Sequence, residues 1–138
     1  MSTIALIDLQ AKIYNVLKND HFVIQQGAGV YDHAPDNAAY PFYEIGDDQF
    51  NSWDSHTFDG FEVELTIHTW TQGQGKRQCK ELMSRLYELL HNTDLSLNSQ
   101  KTVALRSGLN TIMLDPDGRT FHGVSRFNLI LGGVRNGS

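Results

Sequence analysis

Apolar and polar residues alternate from Phe61 to Trp70. Phe61, Val63, Leu65, Ile67 and Thr69 take one set of positions; Glu62, Glu64, Thr66, His68 and Trp70 take the other. A period of two is that of a half-buried strand. After the turn Thr71-Gln72-Gly73-Gln74-Gly75 the period lengthens: Cys79, Leu82, Met83, Leu86, Leu89 and Leu90 recur three or four apart, with Lys76, Arg77, Lys80, Glu81, Arg85 and Glu88 between them. That spacing predicts an amphipathic helix, with Glu81 and Arg85 one turn apart and placed for an ion pair. Burying a large apolar side chain is worth roughly 1.5–3 kcal/mol, so the stripe predicts a core in which this helix lies on the odd face of this strand.

Earlier in the chain, Ser2 or Thr3 caps a first predicted helix running to about Lys18, with Leu6, Leu9, Ile13, Val16 and Leu17 on one side. Ile4, Ile7, Ala11 and Tyr14 form a second apolar stripe, which predicts packing on two sides, within the monomer or against another subunit. Residues 25–41 have loop composition around an extended piece at Val30-Tyr31, and Tyr40 to Ile45 reads as a strand with Pro41 at its start or edge. Residues 46–60 bring Asp47, Asp48, Asp54 and Asp59 together with Phe50, Trp53 and Phe58 and no clean period, so a long acidic loop or loose hairpin with aromatic anchors is expected. Leu95-Ser96-Leu97 alternates as a short strand. Residues 101–114 and 120–131 predict two strands joined by Asp115-Pro116-Asp117-Gly118, a turn sequence with Gly at the left-handed position. The expected organisation is one domain over 1–131 and a mobile tail over 132–138.

A 138-residue chain with 40% hydrophobic content suffices for one core. The net charge of -5 argues against nucleic-acid binding, which needs a surplus of Lys and Arg on one face, and against anionic membranes. No apolar run approaches the ~20 residues that span a bilayer, and the N-terminus does not read as a signal peptide. The single Cys79 lies on the helix stripe and reads as a small core residue.

The search for catalytic chemistry gives little. Gly73-Gln74-Gly75-Lys76 sits between strand and helix, where phosphate loops occur. It lacks the upstream glycine of that pattern and has Arg77 where a hydroxyl would hold magnesium. Six histidines invite a metal, with His33 beside Asp32 and Asp36 and His56 between Asp54 and Asp59. None, however, is spaced i, i+4 with another. No nucleophile elbow is present. His68 and His122 lie on strand faces and read as interfacial or titrating side chains. Neither a cofactor nor a metal site is expected.

Several stretches taken in order resemble the tail completion or tail terminator family of long-tailed bacteriophages and gene-transfer particles. They are Val30-Tyr31-Asp32-His33-Ala34-Pro35, then Ala38-Ala39-Tyr40-Pro41-Phe42, then the strand ending at Trp70 before a glycine turn. The helix leading through Leu89-Leu90-His91 to Leu95-Ser96-Leu97 follows, and last comes Asp115-Pro116-Asp117-Gly118-Arg119-Thr120-Phe121-His122-Gly123-Val124-Ser125-Arg126-Phe127. One departure is Gly29, where the family often has a basic residue. The resemblance implies a single α+β domain, a mixed and mainly antiparallel sheet with about two helices on one face, assembled as a homohexameric ring. It further implies that the ring caps the tail tube, ends its polymerisation and docks the head-side connector, with DNA passing the lumen unbound and no catalysis. On charge and aromatic placement, the interface candidates are Asp47, Asp48, Phe50, Trp53, Asp54, Phe58, Glu62 and Glu64, facing lumen or tube. The alternative from the residues alone is a small α+β enzyme or ligand-binding domain using loop His and Asp residues, with or without a metal.

Overall fold

The computed structural model describes residues 4–52, 58–93, 95 and 101–134. In chain order the elements are α1 (Ile4–Lys18), α2 (His21–Gln25), β1 (Gly29–Tyr31), β2 (Phe42–Ser52), β3 (Phe58–Gln72), α3 (Arg77–Leu90), β4 (Lys101–Leu114) and β5 (Thr120–Val134). The five strands form one sheet in the order β1-β2-β3-β5-β4. β1 runs parallel to β2, and every other pairing is antiparallel. The expected α+β domain with a mixed sheet is what the chain forms.

The alternation of β3 is realised as written: Val63, Leu65, Ile67 and Thr69 are buried beneath the helices. Register places Phe127, Ser125 and Gly123 of β5 beside Leu65, Ile67 and Thr69, and Tyr43 and Ile45 of β2 beside Thr69 and Ile67. Onto this face α3 lays Cys79, Leu82, Leu86 and Leu90, all fully buried. Gly123 lets the helix approach closely, since a β-carbon there would stand 3.1 Å from Cys79 Sγ and closer still to Met83 Sδ. The buried Tyr43 hydroxyl donates to the Leu82 carbonyl at 2.6 Å and ties β2 to α3; burial pushes its pKa far up, so it remains a donor. From α1, Leu9, Ile13 and Leu17 complete the core. Of the second stripe of α1, Tyr14 packs against this core, while Ile7 is 66% exposed.

Several details differ from expectation. Among the described residues there are three helices where about two are implied, because α2 is a five-residue helix in a stretch for which the sequence predicts no element. It is capped by Asp20, whose carboxylate accepts from the Val23 N–H at 3.2 Å, and it buries Val23. Of the two forms expected for 46–60, the chain takes the paired one, and much of the stretch is strand: β2 runs to Ser52 and β3, antiparallel to it, starts at Phe58. A bulge between Gly46 and Gln49 sets Asp47 and Asp48 opposite Leu65 alone. One extra residue reverses the parity of a strand, so the inward positions change from Tyr43 and Ile45 to Phe50 and no single period spans β2. Arg85 pairs with Asp20 and Glu88, not Glu81, which Arg77 takes. Finally, β5 continues to Val134, so Gly132 to Val134 pair with β3 where the sequence reading begins the tail. Of the expected strand at Leu95-Ser96-Leu97, Leu95 is buried outside any strand; Ser96 and Leu97 lie outside the described residues.

The β4–β5 turn has the expected form. The Gly118 N–H donates to the Asp115 carbonyl at 3.0 Å, Gly118 has φ 75°, and Asp117 accepts from the backbone N–H groups of Arg119 and Thr120. A β-carbon at Gly118 would touch nothing, so substitution there tests the backbone alone. Gly118→Val should cost about 2 kcal/mol in urea unfolding, because a β-branched residue resists positive φ. Gly118→Asn should cost far less.

Candidate functional site

All three helices contribute to one side of the sheet, and the core cluster draws only on side chains of that side. The opposite face carries the even residues of β3 and their neighbours: Phe42 and Glu44 from β2, His122, Val124 and Arg126 from β5, and Met113 from β4. Among the described residues no helix covers it. Segment 32–40 folds over its β1 end, where the Ala34 N–H donates to Glu44 at 2.7 Å and Tyr40 packs on Phe42.

Aromatic rings form a row across this open face. Tyr31 meets Phe42 edge-on at 5.7 Å, Phe42 stacks with Trp70 at 6.3 Å, and Trp70 lies flat on His122 at 3.8 Å and 7°. His122 in turn stands 2.7 Å, Nε2 to Nδ1, from His68, whose Nε2 reaches Asp47 Oδ2 at 2.8 Å. One arrangement that satisfies both contacts has His68 donating to Asp47 and accepting from His122. Asp47 reaches His68 only because the bulge holds it at φ 58°.

This Asp-His-His chain has the outline of a catalytic relay without what a relay serves. It ends against the Trp70 ring, and the bulge carboxylate is open to solvent with 79% side-chain exposure. The three side chains bond to one another and do not converge on a common point. Among the described residues no group of three or more His, Cys, Asp or Glu is arranged to hold a metal. Burial, and then the nearby His68, push the His122 pKa below the ordinary 6.5; the carboxylates of Asp115, Glu44 and Asp47 oppose the shift without overcoming it. A lowered folded pKa means that His122 contributes stability above about pH 6.5, and that this is lost as the pH falls towards the folded value. Chemical denaturation between about pH 5 and pH 8 should therefore show an acid-side loss in the parent that is diminished in His122→Asn.

The interface candidates divide. Asp47 and Asp48 form the bulge; Asp48 tucks its carboxyl against the backbone of Thr66, and burial pushes its pKa up. Glu62 and Glu64 stand on the open face beside Asn51 and Gln49. Phe50 is 51% exposed although it points to the helix side, opposite Val63. Phe58 enters β3 opposite Val134. Trp53 and Asp54 lie outside the described residues. The structure thus gathers Asp47, Asp48, Glu62 and Glu64 on one acidic half of the sheet. Residue-level reading set His68 and His122 on strand faces but not together, since they lie 54 residues apart and only the β3–β5 register joins them.

Two of the grooves on the helix side are broad. One of about 620 Å³ runs along the solvent side of α3 beside Phe22, and one of about 590 Å³ lies along the outer stripe of α1. The described surface thus offers an open sheet face and broad shallow grooves.

A family model described as tail completion protein gp17 matches residues 11–132, and the chain belongs to that family. It is thereby a structural protein of the virion tail of a phage or phage-like particle. It is similar to the tail completion protein gp17 of Bacillus phage SPP1, with 27% identity over 85 residues that cover 62% of this chain and 63% of that protein. A chain from the virion of a native gene transfer agent particle has the same fold: the TM-score is 0.85 over 96% of this chain and all of that one, at 20% identity.

Proposed function

We propose that the protein is a ring-forming subunit that caps the tail tube, ends its polymerisation and offers a docking surface to the head-side connector, without catalysis. Family membership sets the context, and the observation that carries the reading is the uncovered sheet face with its acidic half. Phe42 is buried by its own neighbours, but Met113 is 46% exposed on a face that no described helix covers, as suits a subunit that others cover. The net charge of -5 also suits a ring through which DNA passes, because like charge keeps the polymer off the wall. Asp47, Asp48, Phe50, Trp53, Asp54, Phe58, Glu62 and Glu64 form the contact surface in this reading.

Particles assembled without this protein should show tubes of uncontrolled length and heads without tails by electron microscopy, and adding back purified protein should restore uniform tails. Normal particles in its absence would overturn the reading. Trp53→Ala should weaken tube or ring binding by about 2 kcal/mol or more while leaving the melting temperature of the monomer nearly unchanged.

A further inference from the structure

Acidic side chains gather on one half of the open sheet face and basic ones at the start of α3 on the helix face, and no contact among the described residues joins the two clusters. On the open sheet face Glu62 and Glu64 stand near the bulge carboxylates of Asp47 and Asp48. Two cations share this face, Arg126 beside Thr66 and Arg106 in the row of Glu64 across Asn128, and neither forms an ion pair among the described residues. On the helix face, Lys76, Arg77 and Lys80 line the first-turn end of the groove beside Phe22, while Glu81, Arg85 and Glu88 line the rest of it. Arg77 pairs with Glu81, but at 93% side-chain exposure that pair is weak, and Lys76 and Lys80 have no ion pair among the described residues.

These cations occupy an unfavourable place. The first turn of a helix carries the positive end of its dipole and favours acidic side chains. α3 has no acidic residue there, and its N-cap Lys76 makes no side-chain capping bond. An anionic surface laid over this turn from outside would relieve the repulsion. The acidic half of the sheet is such a surface, yet in any one chain it lies on the far side of both layers.

We infer that the open sheet face of one copy seats on the α2–α3 face of the next, with Glu62 and Glu64 meeting Lys76 and Lys80. This rests on the ring reading and gives it an interface. Apolar contact accompanies the charge: Met113 is 46% exposed on the sheet face, and Ile24 and Tyr87 are 59% and 49% exposed on α2 and α3. Two patches on opposite sides of a subunit cannot both be joined in one two-fold pair. The contact is therefore heterologous, and it repeats head to tail until the rotation closes a ring.

Charge exchange tests this, read by native mass spectrometry over a concentration series. Glu62→Lys with Glu64→Lys makes one variant, and Lys76→Glu with Lys80→Glu makes the other. Each alone should raise the assembly midpoint at least roughly tenfold, with far-ultraviolet circular dichroism unchanged. Mixed together they should assemble again as alternating rings with equal numbers of each, and all four substitutions in one chain should restore assembly of that chain. Wild-type rings that neither exchange affects would overturn this interface and leave the ring reading standing. A two-fold dimer, or a chain that stays monomeric at every concentration, would overturn both.

Discussion

Arg85→Ala is expected to lower the unfolding free energy by about 3 kcal/mol at neutral pH, the lower end of what breaking a buried ion pair costs. Arg85 grips Asp20 with both ends of its fork, Nη2 to Oδ1 at 2.6 Å and Nε to Oδ2 at 3.0 Å. The Asp20 side chain is only 7% exposed, so truncation leaves a carboxylate that keeps little more than its capping bond from Val23. The low end applies because Arg85 is 30% exposed and water can enter the space it vacates. Arg85→Lys keeps the charge but loses the fork, and should fall between. The hydrogen bonds from Arg85 hold the Asp20 carboxyl below its usual 3.8. A depressed folded pKa contributes stability above 3.8 that is lost as the pH falls through the folded value. The gap between Arg85→Ala and wild type, measured by urea unfolding, should therefore be widest near neutrality and narrow in acid; a gap independent of pH would mean that the arginine acts by packing alone.

Leu86→Ala should have an effect of similar or larger size, about 3–4 kcal/mol within the range for emptying a well-packed site. Leu86 is fully buried at the junction of α3 with the sheet, and backbone ladders on every strand limit how far the surroundings can collapse. The two losses differ in character. Leu86→Ala should show little pH dependence, because no titratable group touches the argument, whereas Arg85→Ala should show the acid-side convergence described above. If α3 presents the contact surface of a neighbouring copy, Leu86→Ala should also weaken assembly in proportion to its loss of folded monomer. The Lys76 and Lys80 exchange should weaken assembly with the monomer intact. Measuring monomer stability and assembly midpoint on the same samples separates these outcomes.

Local periodicity made α1, β3, α3 and the β4–β5 hairpin legible in the sequence, because each is long enough for its own residues to repeat over several turns or pleats. The turn at Gly118 was legible because one backbone conformation demands one residue type. The acidic and aromatic composition of residues 46–60 was also visible, but not its structure. A bulge that reverses strand parity between Ile45 and Phe50 erases the alternation by which strands are recognised. α2 has too few residues to show a period and exists through Asp20 and the packing of Val23. Arg85 had an acceptable partner one turn away in Glu81, and only the fold offered Asp20, 65 residues distant and sheltered from water. Likewise His68, His122 and Asp47 became one cluster through the register of three strands. The sequence by itself determined which residues turn inward along each long element, since that is set within a few neighbours. Which elements meet, in what register, and which charges are left facing outward were decided only by the tertiary structure, because those contacts close across distances that no local pattern encodes.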